Sequence, residues 1–114
     1  MTRLEIDPGA CGLPTVVSVN SRGRRVYGVT VESECEMIRK LGSSIPELAM
    51  MDAFTRLLEN PVYRAGATCL KHVSCPVPAG ILKALEVEAG LAVPKDVHMH
   101  FMARAGDKES EPEE

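Results

Sequence analysis

The chain has 114 residues, 45% hydrophobic and 25% charged, which is the mix of one globular domain and not of a disordered polymer. With no Trp, two Phe and two Tyr, it lacks the rings that a platform for single-stranded nucleic acid requires. The net charge of −3 resides in the last eleven residues, two bases against five acids, while the first 103 balance at eleven of each, so no basic footprint for DNA or RNA remains.

Residues 1–7 are charged and hold no apolar stretch, so they do not read as a signal peptide. No apolar run approaches the roughly 20 residues of a membrane helix. The expectation is a cytoplasmic protein without nucleic-acid or membrane partners. In that compartment thiols are kept reduced.

The predicted elements begin with strands. Residues 15–19 and 25–31 are rich in β-branched side chains, and the second run alternates Tyr27, Val29 and Val31 against Val26, Gly28 and Thr30. Residues 20–24 have the composition of a hairpin loop. Residues 3–6 read as a short strand leading across the Asp7-Pro8-Gly9 turn. From Cys35 the spacing turns helical, with Met37, Ile38 and Leu41 on one face and Gly42-Ser43-Ser44 as the stop.

Ser44 and Pro46 then read as the cap and first turn of a second helix carrying Leu48, Met51, Phe54 and Leu58. Asn60-Pro61 repeats that signal and opens a third helix through Leu70. A fourth begins at Cys75-Pro76, buries Ile81, Leu82, Leu85 and Ala89, and stops at Gly90. Residues 97–102 alternate as a last strand. The whole reads as a single α+β domain over residues 1–103, with antiparallel N-terminal strands, about four helices and one C-terminal strand. Residues 104–114 read as a disordered acidic tail.

Four reduced cysteines need a role in metal ligation, thiol chemistry or packing. Cys11 lies in a glycine-flanked turn that leaves its side chain reachable. Cys35 and Cys75 each stand at a helix start, where the helix dipole favours thiolate, although Glu34 and Glu36 oppose this at Cys35. Cys69, one turn before His72 and beside Leu70, reads as a packing residue or a fourth ligand. His98 and His100 share one strand face, exposed or paired on a metal. No C-x-x-C is present, and Cys69 to Cys75 is only a C-x5-C, so a site must be assembled by the fold from dispersed positions. The predicted hairpin makes the start of its first strand and the end of its second neighbours, which brings Cys11 beside Cys35.

The order Ala10-Cys11-Gly12, then Cys35 between strand and helix, then His72-Val73-Ser74-Cys75 before a long helix resembles the iron–sulfur scaffold family of NifU and IscU type. The separations, 24 residues from Cys11 to Cys35 and 40 from Cys35 to Cys75, carry the resemblance together with the helix sequence at 79–86. It implies that Cys75 joins Cys11 and Cys35, and it implies a sulfur donor or an apo-protein acceptor as partner. Leu13 stands where that family has Asp, His72 is three residues from Cys75 instead of adjacent, and the last strand is an addition. Cys75-Pro76-Val77-Pro78 resembles the Cys-Pro-x-Pro helix opening of TusA-type sulfur carriers, in which the cysteine bears a persulfide. The chain as a whole is also similar to a small family of anaerobe proteins to which no activity is attached.

The function expected from these residues is a metal-binding module, with the question of an enzymatic activity left open. Cys11, Cys35 and Cys75 would hold an iron–sulfur cluster or Zn²⁺, with His72 or Cys69 as fourth ligand, because both take tetrahedral sets of soft donors. Two alternatives stand beside it. One is a persulfide carrier with Cys75 as nucleophile, activated by Lys71 and His72. The other is a small interaction protein whose cysteines pack.

Overall fold

A computed structural model describes residues 1–104. Four antiparallel strands form one sheet in the order β1 (Thr2–Ile6), β2 (Thr15–Ser21), β3 (Val26–Ser33) and β4 (Glu47–Ala49). Three α-helices, α1 (Glu36–Ser44), α2 (Pro61–Cys69) and α3 (Val77–Glu88), complete the α+β fold.

Strand alternation sets the layers. Leu4 pairs with Val17 and Val17 with Val31, while Val19 pairs with Val29 and Tyr27 with Leu48. These side chains lie on one face, and α1, packed on β3, and α3, packed on β1 and β2, cover it. Arg3, Glu5, Thr30 and Glu32 alternate to the exposed side. The two-layer core is closed by Ile38 and Leu41 of α1, Val62 of α2, and Val77, Ile81, Ala84 and Leu85 of α3. Burying each such aliphatic side chain stabilises the fold by roughly 1.5–3 kcal/mol.

Several sequence expectations hold in detail. The β2–β3 hairpin turns through Gly23, Arg24 and Arg25 at positive φ, with the Arg22 N–H donating to the Val26 carbonyl at 2.8 Å. Asn60 caps α2, its side-chain oxygen accepting the Val62 N–H at 3.0 Å. The same Asn60 donates to the carbonyls of Asp52 and Thr55, so one buried amide joins the cap to the preceding turns. Gly90, at φ 77°, ends the last helix.

The Gly42-Ser43-Ser44 stop also holds, since α1 ends at Ser44; Gly42 lies in that last turn, where a Cβ would stand 2.8 Å from the Val31 Cβ. The glycine serves the close approach of helix to strand. Two expectations are corrected. The predicted second helix is instead β4 followed by two short 3₁₀ turns, Met50–Ala53 and Leu57–Glu59. Glu47–Ala49 pairs with Val26–Gly28 and satisfies the edge of β3, a gain that a short helix with a costly nucleus does not match. Ser44 is the last residue of α1, not a cap, and Met51, Phe54 and Leu58 are exposed. Residues 97–102 form no strand, because no edge of their own chain pairs with them. The expected acidic tail lies outside the described residues except for Arg104.

Candidate functional site

The sheet has two ends. At one, Ile6 pairs with Thr15 and Thr15 with Ser33, which places the loop after β1, the start of β2 and the end of β3 together. Cys11 lies four residues before Thr15 and Cys35 two residues after Ser33, so register carries both to this end.

Cys11 sits in a turn between Gly9 and Gly12, both at positive φ, closed by the Gly12 N–H donating to the Gly9 carbonyl at 2.9 Å. Asp7 Oδ1 accepts the Gly9 N–H at 3.1 Å and braces the turn. The thiol-bearing residue is exposed at its tip. Cys35 is the residue preceding α1. Its N–H donates to Ser33 Oγ at 3.1 Å, and its carbonyl accepts the Arg39 N–H at 3.0 Å as the first helical bond. It is half-buried and packs against the core.

Cys75 arrives from a different element. Its N–H donates to the His72 carbonyl at 3.2 Å, closing the turn that leads into α3. The side chain is half-buried against the core. Burial pushes the Cys75 thiol above its ordinary pKa; the Val77 N–H opposes this, and charge on Cys11 and on Cys35 adds to the rise. Cys75 therefore lies near enough to the Cys11 and Cys35 end of the sheet to feel the charge of both. The activation of Cys75 expected from the helix dipole, Lys71 and His72 is reversed. Desolvation outweighs the one helix N–H, and neither Lys71 nor His72 contributes to the shift.

The remaining candidates lie elsewhere. Cys69 ends α2 with its sulfur 3.8 Å from Ser44 Oγ. It lines an open cavity of about 860 Å³ between α1 and α2, with Lys40, Thr68 and Lys71 among its walls. His72 is exposed on the loop before Cys75. His98 and His100 are exposed on the irregular C-terminal segment. Among the described residues, no group of three His, Cys, Asp or Glu side chains stands at the spacing that holds a metal ion.

Sequence reasoning missed the opposite end of the sheet. There Glu88, at the end of α3, accepts from Thr2 Oγ1 at 2.6 Å and the Ser21 N–H at 3.3 Å, with the N-terminal amine 3.7 Å away. The Thr2 hydroxyl foremost, with Ser21 and the amine, holds the Glu88 carboxyl below its usual range. Nothing local announces partners 67 and 86 residues apart.

No helix of the described residues is long and apolar enough to cross a membrane. No curated protein and no solved structure matches the chain. Residues 2–101, the whole sheet, all three helices and all four cysteines, match the Family of unknown function (DUF6951), and the chain belongs to that family.

Proposed function

We propose that Cys11, Cys35 and Cys75 form a thiolate site for an iron–sulfur cluster or Zn²⁺. What supports this reading is that strand register carries Cys11 and Cys35 to one end of the sheet and that Cys75, leading into α3, lies close enough to feel the charge of both. Their chemistry fits: sulfur is the soft donor that both zinc and cluster irons take. A cation would also reverse the electrostatics at Cys75, because the charge that burial and two neighbouring thiols disfavour becomes favourable beside a metal.

The fourth donor in this reading is His72, on the exposed loop three residues before Cys75. Cys69 is less suited, since its sulfur faces Ser44 across the α1–α2 cavity. Capture of a single ion requires the exposed Cys11 turn and the 70–76 loop to draw in. The role proposed is that of a scaffold of NifU and IscU type, which the order and spacing of the three cysteines resemble, with a sulfur donor or apo-protein acceptor as partner. A persulfide carrier at Cys75 is disfavoured by the raised pKa, because the thiolate is the nucleophile.

The test is metal and acid-labile sulfide analysis of protein purified without oxygen. Brown protein absorbing near ~400 nm with bound iron and sulfide supports the cluster. Colourless protein with one equivalent of zinc supports the zinc site. Protein that takes up neither zinc nor reconstituted iron and sulfide beyond a Cys11→Ser, Cys35→Ser, Cys75→Ser variant overturns the reading.

A further inference from the structure

After α3 the chain carries the alternation of a strand in a segment that pairs with none of the described strands. Residues 97–102 alternate apolar and polar, with Val97 58%, Met99 85%, Phe101 100% and Met102 82% exposed. The α3 end is closed by Gly90 and by the Leu91 N–H donating to the Glu86 carbonyl at 2.8 Å. Beyond a tight turn at Pro94, where the Lys95 N–H donates to the Val93 carbonyl at 2.8 Å, no backbone hydrogen bond among the described residues holds residues 96–102. The molecule measures 54 × 29 × 25 Å, nearly twice as long as wide. Phe101 is within the stretch that matches the family, so this arm is part of the family's common region and not an appended tail.

The sheet, in turn, has an edge without a strand. Among the described residues β1 pairs with β2 alone and is an edge strand of the sheet. An edge of this kind is a template for one more strand. Its alternation matches that of the arm. Leu4 and Ile6 face the helix layer, where α3 presses on both through Gly80. Arg3 and Glu5 face the exposed side. A strand of residues 97–102 laid on that edge puts Val97, Met99 and Phe101 beside Leu4 and Ile6, and His98 and His100 on the side of Glu5.

We propose that residues 97–102 add as a strand to the open β1 edge of a second copy of this chain, each copy giving one arm and receiving one. The chain itself supplies both halves of the contact, and reciprocal exchange closes a two-fold dimer in which each β1 edge is paired. Addition within one chain is less direct. The arm leaves α3 beside Thr2, so it would run most simply parallel to β1, the weaker pairing, whereas an arm from a second copy is free to add antiparallel. The inference does not depend on what the thiols bind.

Light scattering with size-exclusion chromatography on the full chain, and amide hydrogen exchange at several concentrations, test it. The expected result is a mass twice 12.3 kDa, with residues 97–102 and β1 gaining protection together as concentration rises. A Met99→Glu, Phe101→Glu variant and a chain ending at Asp96 should each halve that mass while the circular dichroism of the domain is retained. A monomer at all concentrations overturns the proposal, as does a dimer that survives both variants. Protection of 97–102 in a monomer would mean pairing within one chain, and protection of 97–102 without β1 would mean pairing of arm with arm. Either result also overturns it.

Discussion

The two ends of α3 sit in opposite chemical settings. At its C-terminal end the charge on Glu88 is welcomed by a hydroxyl, a backbone N–H and an amine, and the carboxyl is held below its usual range. At its N-terminal end Cys75 meets burial and two further thiols, and its charged form is disfavoured. One end is satisfied by the chain's own groups. The other, in the function proposed above, is where a cation from outside would make the charged form favourable. A complete hydrogen-bond set is how a polar group serves structure, while a cluster of ionisable groups that disfavour one another's charge is how a fold is poised to bind.

The largest effect that separates the two ends is metal affinity. A structural zinc site is worth roughly 10–16 kcal/mol over four ligands, so losing one thiolate should cost about 3 kcal/mol, or about 100-fold. Cys11→Ser, Cys35→Ser and Cys75→Ser should each lose that much in competition with a chromophoric chelator. Cys69→Ser should stay close to the parent. Equal losses across all four would erase the distinction between the thiol end and the rest of the molecule.

The second effect acts on the helix that joins the ends. A Cβ on Gly80 would collide with Ile6 Cδ1 and come within 3.4 Å of Leu4 Cδ2. Gly80→Ala should therefore push α3 off β1 and destabilise the fold by roughly 1–3 kcal/mol in urea unfolding. Because Cys75 leads into the same helix, metal affinity should fall with it. Unchanged stability would mean that β1 yields without cost.

Glu88→Gln should cost less, roughly 1 kcal/mol, since it weakens one charge-assisted hydrogen bond and a longer ion pair. Its pH signature is sharper than its size. A carboxyl whose folded pKa is lowered adds stability above its unfolded value, about 4.3, and that stability is lost as pH falls through the folded pKa. The parent should lose stability on acidification over that window, and the variant should lose less. The thiol end has the opposite sign. A raised folded pKa at Cys75 gives the apo protein stability that is present below the usual thiol value, about 8.5, and lost as pH rises through the folded pKa. Urea midpoints measured from acid to alkaline pH should thus fall at both extremes, each from its own end of α3.

The smallest effect concerns reactivity. In apo protein near neutral pH, Cys75 should be alkylated more slowly than exposed Cys11, since burial keeps it in the thiol form. Replacing Cys11 and Cys35 by Ser should raise the Cys75 rate, because charge on both neighbours disfavours its thiolate. Mass spectrometry of timed iodoacetamide reactions reads both. A Cys75 that outpaces Cys11 would favour the persulfide-carrier chemistry instead.

Much of the fold was legible locally. The β2–β3 hairpin, the Asn60 cap and the Gly90 stop each follow from residues within a few positions of one another, because turn and cap chemistry is short-range. That the chain just before β2 and just after β3 share one end of the sheet was also legible, since a hairpin alone requires it. What failed was decided at a distance. Residues 46–58 have helical spacing, yet the edge of β3 took Glu47–Ala49 as a strand. Residues 97–102 have strand spacing, yet found no edge in their own chain.

By itself, then, the sequence determined which residues alternate, where helices start and stop, and that two of the thiols flank one hairpin. Only the tertiary structure decided that α3 lies on β1 and β2 with its N-terminus at the thiol end, that Cys69 turns to another groove, and that Cys75 is raised in pKa and not lowered. The reason is physical. Periodicity states which face of an element is apolar, but a pKa, a strand partner and a metal site depend on what other elements bring to that face, and the balance of burial against one helix N–H exists only once they have packed.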